Sequence, residues 1–71
     1  MNTWKVCKDF IRLYCKGQEV EPIQSATKMD NIWGLRVDWH EMGWALESLE
    51  HDGEATMVGL TGERMRRYHI N

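Results

Sequence analysis

Residues 38–54 read Asp38-Trp39-His40-Glu41-Met42-Gly43-Trp44-Ala45-Leu46-Glu47-Ser48-Leu49-Glu50-His51-Asp52-Gly53-Glu54, and the fold turns on whether 40–51 is helix or strand. As a helix, Asp38 with Glu41 resembles a capping box. Met42, Ala45, Leu46 and Leu49 then form one apolar stripe, and Asp52-Gly53 ends it. As a strand, Trp44–Glu50 pairs with Ala55–Leu60 through a His51-Asp-Gly-Glu54 hairpin, because Asp-Gly is a strong type I′ signal. Gly43 costs a helix roughly 1 kcal/mol. The strand alternation is untidy in its turn, since Leu46 and Leu49 fall on opposite faces. The two readings stay close, with a slight lean to strand.

Upstream, residues 4–16 have a plain helical period. Lys5, Lys8, Asp9, Arg12 and Lys16 share a polar face, and Trp4, Cys7, Ile11, Tyr14 and Cys15 fill the opposite one, widened by Val6, Phe10 and Leu13. Thr3 is the expected N-cap and Gly17 the left-handed stop. Residues 19–26 alternate weakly, and Pro22 would confine them to an edge strand or a bulge. Residues 27–31 read as a turn. Ile32–Trp39 alternates, with Leu35, Val37 and Trp39 on one face, as a half-buried strand does. Downstream, Ala55–Leu60 is a β-like run, Thr61-Gly62-Glu63 turns the chain, and 64–70 alternates again.

These elements predict an α+β fold in one small domain spanning 1–71. An N-terminal amphipathic helix is expected on a four- to five-stranded antiparallel sheet or small open barrel of Sm or SH3-like size. Trp4, Phe10 or Ile11, and Tyr14 should pack on Leu35, Val37 and Trp39. At 71 residues the chain lies near the lower size limit for folding without a staple, and its core is open to completion by a homodimer. Cys7 and Cys15, two turns and about 12 Å apart on one helix, are too distant to bridge, so reduced thiols and a cytoplasmic location are expected. No window approaches the ~18 apolar residues of a membrane span.

One segment resembles a known family. Gln18-Glu-Val-Glu-Pro22, followed by Trp33-Gly-Leu35, is similar to the core of WYL-type ligand-sensing domains, where a proline precedes a Trp-x-Leu strand. The family's central tyrosine is Gly34 here, and its arginine-rich run has no counterpart. The resemblance would imply small-molecule sensing.

Charge is unevenly distributed. Val37–Glu63 carries seven carboxylates (Asp38, Glu41, Glu47, Glu50, Asp52, Glu54, Glu63) and no lysine or arginine, while all nine bases lie outside it. Such a segment steers cationic partners. Trp33, Trp39 and Trp44 flank or interrupt it. Trp39 is expected in the core, which leaves Trp33 and Trp44 as aromatic anchors in an acidic rim.

The reading is a non-catalytic protein that uses Asp38, Glu41, Glu47, Glu50, Asp52, Glu54, Trp33 and Trp44 to bind a basic protein or a nucleic-acid-binding protein, with inhibition as one outcome of binding. Small phage and mobile-element inhibitors, anti-CRISPR proteins among them, share this size and charge style. The alternative is an RNA- or DNA-binding barrel. There Arg64, Arg66 and Arg67 with Lys5, Lys8 and Arg12 would contact phosphates, and Tyr68 would stack a base. No metal or cofactor is expected, because His40, His51 and His69 lack ligand spacing with the cysteines. No nucleophile motif or phosphate loop is present, so no enzyme is expected.

Overall fold

The computed structural model describes residues 3–60 and 65–71. Along the chain run α1 (Thr3–Tyr14), β1 (Glu19–Val20), α2 (Pro22–Trp33), α3 (Trp39–His51), β2 (Ala55–Leu60) and β3 (Arg66–Ile70). Among the described residues the strands form one antiparallel sheet in the order β1-β3-β2. The α+β class stands, but the expected four to five strands or barrel is corrected to three helices and a three-stranded sheet.

α1 follows its sequence pattern in part, ending at Tyr14 and leaving Leu13 of the expected apolar stripe exposed. Cys7, Phe10 and Ile11 are fully buried, and Gly17 takes φ +80° just after the helix. Thr3 lies within the helix instead of capping it. Gly17 N–H then donates to the Ile70 carbonyl at 2.7 Å, and Ile70 N–H donates to the Gln18 carbonyl at 2.9 Å, which starts the β1–β3 pairing.

The largest correction falls on residues 19–39. Pro22 does not interrupt a strand; it opens α2 at the first helical turn, where its missing N–H costs nothing. Pro22, Ser25 and Met29 are buried at helical spacing, so the expected turn at 27–31 is helix interior. Gly34 closes α2 with φ +68°, its N–H donating to the Asp30 carbonyl at 2.9 Å. Trp33-Gly34-Leu35 is therefore a helix end, where the WYL-type pattern requires a strand. Leu35 and Val37 do alternate with exposed Arg36 and Asp38, yet they link two helices and join no sheet.

Residues 40–51 are helix, against the lean to strand. Asp38 caps α3 through its side chain, which accepts the His40 N–H at 2.9 Å. Met42, Ala45, Leu46 and Leu49 are buried as the i, i+3, i+4, i+7 stripe. Asp-Gly ends the helix and makes no hairpin: Gly53 takes φ +81°, and Glu54 N–H donates to the Leu49 carbonyl at 2.8 Å.

β2 and β3 pair from Ala55↔Ile70 to Leu60↔Arg66, with a bulge between Met57 and Gly59. Val20, Ala55, Tyr68 and Ile70 join the helices' apolar side chains in one core, while Thr56 and Arg67 on the sheet are exposed. Each large side chain buried there contributes roughly 1.5–3 kcal/mol. The expected turn at Thr61-Gly62-Glu63 lies outside the described residues. No described helix is long and apolar enough to cross a membrane.

Candidate functional site

Sequence reasoning placed Trp4 and Trp39 in the core and Trp33 at the surface. The structure reverses all three. Trp4 is 44% exposed and Trp39 43% exposed. Trp33 is half-buried, edge-on to Phe10 at 5.1 Å, with its indole N–H donating to the Tyr14 hydroxyl at 3.2 Å. The cause is the α2–α3 connection: α2 carries Trp33 back onto α1, and the turn before α3 swings Trp39 outward. Trp44, at 59%, is exposed as expected.

Trp39 and Trp44 border a groove of about 250 Å³ between α3, the first turn of α2 and β3. His40, Gly43, Glu47, Pro22 and Tyr68 supply much of its lining. Once α3 is a helix the geometry is simple, because 39, 40, 43, 44 and 47 crowd one side of it. Gly43 matters through its size. A Cβ there would meet the Pro22 ring at 3.7 Å, an ordinary contact, and the bare hydrogen leaves the groove floor open. The His40 ring stacks on Trp39 at 3.7 Å and its Nδ1 lies 2.9 Å from Asp38 Oδ1. Those two hydrogen bonds from His40, backbone first, hold the Asp38 carboxyl below its ordinary range.

Tyr68 lines the groove from the sheet while only 1% exposed, and its hydroxyl has no hydrogen-bond partner among the described residues. Burial raises its pKa, and the nearby Arg66 guanidinium opposes that shift. Tyr68, considered above as a base-stacking residue, is thus covered. Pro22, His40, Gly43 and Met65 are groove residues that sequence reasoning missed. The helical period of 39–47 was the available signal for two of them; Pro22 and Met65 arrive from distant chain.

Three carboxylates of the acidic run are matched by bases inside the molecule, and Glu21, outside the run, by a fourth base. Lys8 Nζ lies 3.2 Å from Asp52 and 3.1 Å from the Ser48 hydroxyl. Arg12 is bidentate to Glu54, and Arg66 reaches Glu47 at 2.7 Å. Arg67 Nη2 sits 3.0 Å from Glu21. Of the expected acidic surface, exposed Glu50 and half-buried Glu41 are left on α3 beside the cap Asp38. The basic candidates Lys8, Arg12, Arg66 and Arg67 are the other halves of these pairs, Lys5 is exposed on α1, and Arg64 lies outside the described residues.

A second hollow of about 340 Å³, lined by Arg12, Lys16, Glu54 and Asn71 among others, holds the already paired Arg12 and Glu54. Among the described residues no three His, Cys, Asp or Glu side chains converge as metal ligands. Both cysteines are fully buried, and burial pushes the Cys7 thiol up to about 11, with Glu41 adding to the effect. Among the described residues neither cysteine is an activated thiol. No family model matches the chain, and no curated protein or solved structure matches it either.

Proposed function

We propose that this chain is a small non-catalytic interaction module that holds a segment of a partner protein on the outer side of α3. The observation that carries the reading is the pair Trp39 and Trp44, 43% and 59% exposed at the rim of a groove. Large aromatics are costly to leave in water and are the commonest anchors of protein interfaces. The groove volume lies below the usual 300–1,000 Å³ of small-molecule sites, and it suits one or two inserted side chains. The acidic surface expected from the sequence becomes secondary in this reading, since much of it is engaged with the chain's own bases. Inhibition of a phage or mobile-element target is one use such a module could serve.

A second reading is favoured by topology. The order helix, strand, helix, helix, strand, strand, with the last strand central, is the arrangement of a winged helix-turn-helix. In that arrangement α3 would be the helix entering a DNA major groove. Fold analogy alone carries no function, and α3 has Glu41, Glu47 and Glu50 with no lysine or arginine to meet phosphates.

Titrating the chain with a random-sequence DNA duplex at low and moderate salt, beside the Trp39→Ala/Trp44→Ala double variant, tests both. Protein recognition expects negligible duplex binding. Tight, salt-dependent duplex binding lost in the variant would overturn it in favour of the second reading.

A further inference from the structure

The composition of the groove narrows what it takes. Resting on the reading above, we propose that it receives a lysine or arginine side chain of the partner, seated against Trp39 and Trp44 with Glu47 as counter-charge. In the free protein Arg66 holds the place of that cation.

Four observations converge. Cations bind the faces of tryptophan rings, and both rings at this rim are substantially solvent-exposed. α3 contributes Glu41, Glu47 and Glu50 and no base, with Asp38 capping it, so an incoming phosphate or carboxylate would be repelled where an ammonium or guanidinium is attracted. The positive end of the α3 dipole works against a cation, but Asp38 and Glu41 both offset it there. Third, among the described residues the one cation in the groove lining is Arg66, 2.7 Å from Glu47, with both side chains about half exposed. Exposed pairs of this kind are weakly held, so a partner's cation backed by two indole rings can displace it.

The fourth observation is the Tyr68 hydroxyl, buried in the lining without a partner among the described residues and beside Arg66. Displacing Arg66 opens it to an acceptor, such as a carbonyl of the segment carrying the cation. The chain already uses this chemistry elsewhere. Lys8 Nζ stands 5.5 Å over the Trp4 ring while bonded to Asp52, a tryptophan, a carboxylate and a cation in one cluster.

A displayed library of short random peptides, selected on the intact chain and counter-selected on Gly43→Leu, tests the proposal. The leucine fills the groove floor beyond the Pro22 contact, and circular dichroism checks that variant's helix content. Trp44→Ala, at an exposed position, serves the same purpose if Gly43→Leu fails to fold. The expected result is peptides sharing a lysine or arginine, lost on Gly43→Leu and weakened roughly fivefold by Trp44→Ala. Arg66→Met should tighten them by about twofold or more, because the internal competitor is gone.

Groove-directed peptides without a basic residue, or basic peptides weakened by Arg66→Met, would overturn the cation assignment and leave the interaction module standing. If no selected peptide depends on Gly43 or Trp44, both fall.

Discussion

Arg12 on α1 grips both carboxylate oxygens of Glu54, from Nε at 2.9 Å and Nη2 at 2.7 Å, and so ties the basic first helix to the acidic middle of the chain. With Lys8–Asp52 beside it, this contact turns a lopsided charge distribution into local pairs. The field expected from the sequence is correspondingly weaker at that end of the molecule.

The Arg12–Glu54 pair has a signature in acid. Hydrogen bonding to Arg12 holds the Glu54 carboxyl below its ordinary value of 4.5, and His40 holds Asp38 below 3.8. As pH falls, the unfolded chain takes up these protons first. The stabilisation is therefore fully present above the ordinary values and is lost as pH drops through the depressed ones. Melting temperature should be flat from neutrality to about pH 5 and fall below it. Glu54→Gln should show a shallower fall; an acid profile identical to the wild type would remove the pair from the stability of the fold.

Core truncations should separate sharply from rim truncations. Phe10 is fully buried between Tyr14 at 4.9 Å and Trp33 at 5.1 Å, so Phe10→Ala should cost about 3–5 kcal/mol, close to the whole stability of a small domain. Trp4→Ala, which the sequence pattern marks as close to fatal, should cost far less because the ring is 44% exposed. Urea unfolding of the two variants checks the order, and equal losses would contradict it.

Gly43→Ala should stabilise the protein. The position is interior to α3, and the added Cβ meets Pro22 at 3.7 Å, an ordinary contact. The gain in helix propensity is roughly 0.5–1 kcal/mol, visible as a rise of several degrees in thermal melting. A lower melting temperature would mean that the α2–α3 approach is tighter than this.

Ser25→Ala should also stabilise. The Ser25 hydroxyl is buried on α2 without a hydrogen-bond partner among the described residues. An orphaned buried hydroxyl costs about 1–3 kcal/mol, and alanine removes it while favouring the helix. Denaturant unfolding at neutral pH measures the change; a loss of stability would show that the hydroxyl has a partner in solution.

Neither thiol should react in the native state. Cys7 and Cys15 are fully buried, burial raises both pKa values, and Cys7 reaches about 11. Iodoacetamide at mildly alkaline pH should label neither cysteine in buffer and both in denaturant, read by mass spectrometry. Rapid labelling of folded protein would show that α1 opens locally.

What the sequence determined by itself is what short-range chemistry controls. α1 is legible because Lys5, Lys8, Asp9 and Arg12 mark one face and Gly17 follows shortly after its end. The Asp38 cap, the Met42–Leu49 stripe and the Gly53 stop are legible too, although the Asp-Gly pair suits a hairpin equally well until a tertiary neighbour decides. Only the folded structure decided residues 19–39. The buried face of α2 is made of Pro22, Ser25 and Met29, two of which do not read as apolar, and the alternation at 35–38 means a strand only if another strand pairs with it. The site was settled at the same level. Which tryptophan meets water depends on which helix covers it, and Pro22, Glu47 and Arg66 become neighbours only when α2, α3 and β3 converge, because burial and ion pairing are properties of surfaces brought together and not of residues in series.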